Sequence, residues 1–173
     1  MATDPNQPIH WKALLHAGLL YGVGAGFVAV FAYLTALQFP FLHEAYWAAI
    51  AAVVCLFPGR QATLKAGLQQ FLGAAIGGVI GWATATAWHH HLALYGAAVF
   101  LAVVICHALR CADAARLAAV AVTIITLIPM PGSPAAVAFH RFFEVSYGSA
   151  CAIAYTLAAD WVARLRQRRR ERP

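Results

Sequence analysis

The sequence predicts an all-α polytopic membrane protein: six transmembrane helices arranged as a 3+3 inverted repeat, with both termini cytoplasmic. Three observations carry that expectation. Of 173 residues, 62% are hydrophobic and 10% charged, whereas soluble domains run at roughly 45–50% and about 25%. Proline, glycine and histidine breaks, with a polar turn at Arg110 to Arg116, divide the apolar sequence into six segments. Threaded through a membrane, these segments leave Lys12, Arg60, Lys65, Arg110, Arg116 and the tail arginines on one side and only Arg141 on the other. Cation-rich loops stay in the cytoplasm. The net charge of +6 is therefore topological, and no nucleic-acid partner is expected.

Residues 1–12 read as a cytoplasmic lead, 13–163 as the transmembrane domain and 164–173 as a basic cytoplasmic tail. The first apolar run, Ala13 to Leu37, exceeds the roughly 7–15 residues of a signal-peptide core. It carries Gly18, Gly22 and Gly26 on one helical face. The second segment, Tyr46 to Phe57, spans only about 18 Å at 1.5 Å per residue, against a hydrocarbon core of roughly 30 Å. It stops at Pro58-Gly59. The third runs from there to Trp88, with Gly73, Gly77 and Gly81 again four apart. Small-residue faces let helix backbones approach closely in lipid, so the two ladders predict contact between the first and third helices.

His89-His90-His91 marks an aqueous turn, because consecutive side chains diverge and cannot converge on one zinc. The fourth helix covers Leu92 to Leu109. A polar turn, Arg110 to Arg116, leads into a fifth, Leu117 to Ile128, which is short and stopped by Pro129. Ser133-Pro134 offers an N-cap followed by proline at the first helical position, and starts the sixth helix. His107 reads as a satisfied core histidine, with a pH-sensitive pair to Asp113 as the alternative. Cys55, Cys106, Cys111 and Cys151 lie in or beside apolar segments and read as small buried hydrophobes.

The halves resemble each other. Leu20-Tyr21-Gly22 recurs as Leu94-Tyr95-Gly96, Ala48–Pro58 resembles Ala118–Pro129 with one insertion, and Gln69…Gly73 matches Glu144…Gly148. Three spans per half force opposite orientations, the plan in which paired short or interrupted segments mark the substrate site of many transporters. On this alignment Arg141 takes roughly the place of Lys65. Helix starts attract anions, so the candidate substrate-binding residues are Arg60, Lys65, Gln69, Gln70, Arg141, Glu144, Tyr147 and Tyr155. Plainer roles stand beside these: Arg60 and Lys65 as topological charges, Arg141 and Glu144 as a mutually neutralising pair, and the glutamines as inter-helix hydrogen bonds. No nucleophile elbow, phosphate loop or metal-protease pattern is present, so neither enzyme activity nor a cofactor or metal is expected.

The stretch YWAAIAAVVCLFPGRQATLKAGLQQFLGAAIGGVIGW resembles the fusaric acid resistance, or aromatic acid exporter, family. It has that family's aromatic-led second helix, Pro-Gly break, basic residues and glycine-laddered helix, and RFFEVSYGSACAIAY looks like the motif's second appearance. The likeness runs from about Ala13 to Ala163. It implies a six-helix bundle of the bacterial inner membrane that exports aromatic or other small organic acids. Plant aluminium-activated malate channels share the transmembrane plan and would imply a dimeric, passive anion pathway. The expected function is export of small organic anions, with a channel or a non-transporting efflux subunit as alternatives. Expected partners are the bilayer, a second copy as homodimer, and a periplasmic adaptor subunit.

Overall fold

The computed structural model describes residues 11–42, 44–87, 91–128 and 132–170. These form α1 (Trp11–Ala36), α2 (Ala45–Cys55), α3 (Arg60–Ala87), α4 (Leu92–Ala108), a 3₁₀ turn (Ala112–Ala114), α5 (Ala115–Leu127) and α6 (Pro134–Arg170). No strand occurs among the described residues. Most of the N-terminal lead, the His89-His90 turn, Pro129 to Pro131 of the loop before α6, and the last three tail residues lie outside them. Among the described residues, α1 alone is both long and apolar enough to cross a membrane, while α2 and α4 are shorter apolar helices.

The two short helices are short for local reasons. At 1.5 Å per residue α2 covers about 16 Å and α5 about 20 Å. Past Cys55 the chain turns extended at Leu56, and Gly59 takes φ 108°, a value that a residue bearing Cβ rarely adopts. Buried Thr63 clips this break. Its hydroxyl accepts the Phe57 N–H at 3.1 Å and donates to the Phe57 carbonyl at 3.0 Å. Tyr21 on α1 donates to the Leu56 carbonyl at 2.8 Å, so the frayed end of α2 is satisfied from two sides. Tyr95 on α4 likewise reaches Thr123 on α5 at 3.0 Å. The Ser133 hydroxyl accepts the Ala136 N–H at 3.3 Å, an N-cap bond at the start of α6. From there α6 runs unbroken to Arg170. The basic residues 164–170 therefore continue the helix, since no glycine or proline interrupts a run of strong helix formers.

Helix contacts come in matched pairs. α3 packs on α5 as α6 packs on α2, α1 on α2 as α4 on α5, and α4 against α3 as α1 against α6, with α3 and α6 crossing each other at the centre. The glycines show why these contacts are close. A Cβ on Gly77 would run into the Ala118 carbonyl and the Ala121 methyl of α5, and one on Gly148 into the Ala48 carbonyl and the Ala51 methyl of α2. Gly73 and Gly81 also face α5. The expected contact between the first and third helices is absent: α1 lies on α2 and α6, and Gly18, Gly22 and Gly26 have nothing within 4 Å of a Cβ position. Only Gly24 of α1 is pressed, by the ring of Tyr155. Gly77, one helical turn beyond the Gly73 that sequence spacing matches to Gly148, makes the contact with α5 that resembles the contact of Gly148 with α2.

The interior is built of small residues. Ala32, Ala36, Ala48, Ala52, Ala102, Ala114, Ala118 and Ala152 are fully buried. Leu14, Leu19, Val23, Phe27, Phe100 and Trp161 stand exposed. Water makes such a distribution costly, whereas lipid leaves helix association to close van der Waals packing of small residues. Gly148→Ala and Gly77→Ala should each destabilise the bundle by about 1–3 kcal/mol through overpacking. Gly22→Ala should be neutral or mildly stabilising, as helix propensity favours alanine by about 0.5–1 kcal/mol. Thermal melts in detergent read all three.

Candidate functional site

The i, i+3 spacing of Arg141 and Glu144 places both on one face of α6. Gly148, one turn further, lets that face descend onto α2, and the start of α2 then lies beside Glu144. The Glu144 Oε1 accepts the Glu44 backbone N–H at 2.9 Å, satisfying a donor at the head of α2. Its Oε2 accepts Arg141 Nη1 at 2.8 Å. Arg141 Nη2 pairs with the Glu44 carboxylate, which also accepts Trp47 Nε1 at 3.0 Å. The guanidinium sits 4.4 Å from the centroid of the Trp47 ring, within cation–π range. Side-chain exposure is 8% for Arg141, 1% for Glu144 and 31% for Glu44. One cation thus serves two carboxylates, and the partly exposed one stands at the rim.

Beside this cluster lies a cavity of about 120 Å³ between α2, α3, α5 and α6. Trp47, Ile50 and Val54 of α2 form one wall; Leu117, Val120 and Ile124 of α5 form the other. These triplets correspond at a single sequence offset. Gln70 enters from α3 and Arg141 from α6, and they correspond at the offset that relates Gly77 to Gly148. It is thus Gln70, and not Lys65, that stands with Arg141 at the cavity. An apolar cavity of about 150 Å³ is known to hold benzene, so this space matches a single aromatic ring. The buried Ser149 hydroxyl of α6 donates to Gln70 Oε1 at 3.1 Å and fixes that amide across the α3–α6 crossing.

The other candidates lie elsewhere. Arg60 is exposed at the head of α3. Lys65 pairs with Asp113 at 2.7 Å, both side chains exposed, and Gln69 Nε2 donates to the same carboxylate at 3.0 Å. This latch joins α3 to the turn before α5. Tyr147 packs against Phe39, and Tyr155 against Gly24 and Phe27 of α1. His107 is exposed rather than core, and its Nδ1 meets the Val103 carbonyl at 2.9 Å. Glu44 and Trp47 were not among the sequence candidates. Their signal is an acid in HEAYW, at the start of a short apolar helix, on the same predicted side as the lone cation Arg141.

A sequence model of the family described as fusaric acid resistance protein-like matches residues 27–155, which is well over half of the chain. The chain belongs to that family. It is accordingly a membrane protein, of a fusaric acid resistance-like kind associated with transport and efflux. The matched region contains the Glu44–Arg141–Glu144 cluster and every wall of the cavity. No match to a curated protein or to a solved structure accompanies the family match.

Removing Arg141 leaves two carboxylates without their cation, one of them fully buried. Breaking such a pair costs about 3–5 kcal/mol, so Arg141→Gln should lower the melting temperature sharply, and adding Glu144→Gln should recover much of the loss. At the latch, the hydrogen bond and charge of Lys65 hold the Asp113 carboxyl below its ordinary value of 3.8. The folded pKa is depressed, so the latch contributes fully above that ordinary value and is lost as pH falls through the folded one. Amide protection at Ala112–Ala115, taken relative to intrinsic exchange at each pH, should fall on that acid limb, and Asp113→Asn should remove that fall.

Proposed function

We propose that this protein exports small organic anions, aromatic carboxylates foremost, across the bacterial inner membrane, and that it binds them in the cavity between α2, α3, α5 and α6. The observation that carries this reading is a single-ring-sized, largely apolar space with Arg141 and Gln70 in its lining. Arginine offers a carboxylate two parallel donors, Gln70 adds a neutral donor or acceptor, and the Trp47 indole gives a ring a stacking face. Apolar walls with a few convergent polar groups are the usual make-up of a small-molecule site.

In this reading the chain crosses the membrane six times as two inverted three-helix halves, with both termini cytoplasmic. The matched helix contacts, the equivalence of Gly77 with Gly148 and the paired cavity walls support the repeat, and the distribution of cations supports the orientation. The two halves then meet at a central site flanked by interrupted helices, the arrangement that alternating access uses. Arg60 and Lys65 stand at the cytoplasmic rim, where their charge draws anions toward the entrance. The open glycine face of α1 is the surface offered to a second copy.

Proteoliposomes loaded with radiolabelled benzoate test this. Val54→Phe, which fills the cavity from α2, should cut efflux at least about tenfold while leaving the melting temperature within a few degrees. Trp47→Ala should lower flux of benzoate more than flux of acetate. Full benzoate flux through a filled cavity would place the pathway elsewhere.

A further inference from the structure

Three carboxylates compete for one guanidinium if an anion enters the cavity. Two are part of the protein, and the geometry separates their roles. Glu144 is 1% exposed and holds both Arg141 and the Glu44 backbone N–H, so moving it would undo the head of α2. Glu44 is 31% exposed. Its carboxylate is held by Arg141 Nη2 and Trp47 Nε1. Arg141 and Trp47 both line the cavity, whereas Glu44 does not. The groups that a bound carboxylate would use are the groups Glu44 occupies.

We propose that Glu44 is a tethered competitor for the transported anion, one that holds Arg141 in the empty carrier and yields it when protonated or swung aside. This rests on the anion-carrier reading above and adds a regulating residue to it. The charge count explains the coupling. With both carboxylates ionised the cluster carries one excess negative charge, and an incoming anion would raise that to two in a site of low dielectric. A proton on Glu44 removes the excess and releases the Arg141 and Trp47 donors together. On release, the ionised Glu44 takes back a guanidinium that would otherwise be left costly and incompletely paired.

The other ionisable groups nearby are few. Tyr46 of α2 has its ring beside Trp47; Glu144, His140 and Tyr147 belong to α6, and His140 Nδ1 meets the Phe41 carbonyl at 2.8 Å. The cavity walls from α3 and α5 contribute no ionisable side chain. α1 approaches Ala45 and Ala48 through Ala36 at its far end, distant in sequence from its basic Lys12 and His16. His43 precedes Glu44 and lies outside the described residues.

Benzoate binding to the purified full chain in nanodiscs, measured calorimetrically from about pH 8 down to about pH 5.5, tests the proposal. Wild type should bind more tightly as pH falls, approaching about tenfold per pH unit for one linked proton. Glu44→Gln, whose amide oxygen still accepts from Trp47, should bind more tightly than wild type at neutral pH and lose the slope. His140→Gln and His43→Gln should keep it. Affinity in wild type that is flat with pH overturns the proposal without any variant, as does a Glu44→Gln protein that binds no better than wild type. Binding that requires Arg141 yet ignores pH sinks only the role of Glu44. Absence of benzoate binding in every protein sinks the anion site as well.

Discussion

A buried guanidinium is the constraint around which this bundle is arranged. Arg141 lies on a helix that is otherwise apolar for most of its buried length, and a lone cation there would be prohibitive in lipid. Two carboxylates and an indole surround it, each delivered by a different feature of the chain. Glu144 comes from the same helical face, Glu44 from the loop before α2, and Trp47 from the first turn of α2. The cluster ties the head of α2 to the first half of α6. It also places a donor-rich side chain at the edge of a space walled by aliphatic groups, the Trp47 indole and the Gln70 amide.

That arrangement needs helices that nearly touch. Gly148 against Ala48 and Gly77 against Ala118 bring backbones within van der Waals contact, and alanines fill the remaining interior. Larger side chains in those places would push α2 and α5 outward and pull the cavity walls apart. The short length of α2 and α5 matters for the same reason. Each stops at an extended residue, Leu56 after α2 and Ile128 after α5, so the centre of the bundle is bounded by helix ends rather than by continuous cylinders. Thr63 and Tyr21 make such an end tolerable in a low-dielectric setting by satisfying the peptide groups that α2 leaves bare.

Much of this was legible in the residues. Proline and glycine breaks, the triple histidine and the polar turn before α5 mark all six helices, because such punctuation is local chemistry that composition does not obscure. The glycine spacing announced close approach, but not the partner. Four-residue ladders on α1 and α3 look alike in sequence, and only the packing shows that the α3 ladder meets α5 while the α1 ladder faces outward. The same ambiguity holds within α3, where Gly73 and Gly77 match Gly148 equally well by spacing, and only the contacts with α5 and α2 favour Gly77. Gln70, Arg141 and Glu144 were readable as polar groups in an apolar helix. Lys65 and Gln69 were readable too, yet an exposed aspartate more than forty residues away in sequence holds both, and no periodicity signals such a pairing. Glu44 escaped notice because it sits at a helix start, where an acid has an ordinary explanation in the helix dipole.

Transport by this route requires the aromatic acid to occupy the space between Trp47 and Arg141. The most direct check is an experimental structure of the protein in lipid with para-bromobenzoate, with the bromine located by its anomalous signal. The account predicts one bromine between α2 and α5, with the carboxylate on Arg141 and Glu44 displaced from it. A ligand seated instead at the exposed Arg60 and Lys65 rim, with the Glu44–Arg141 pair intact, would contradict it.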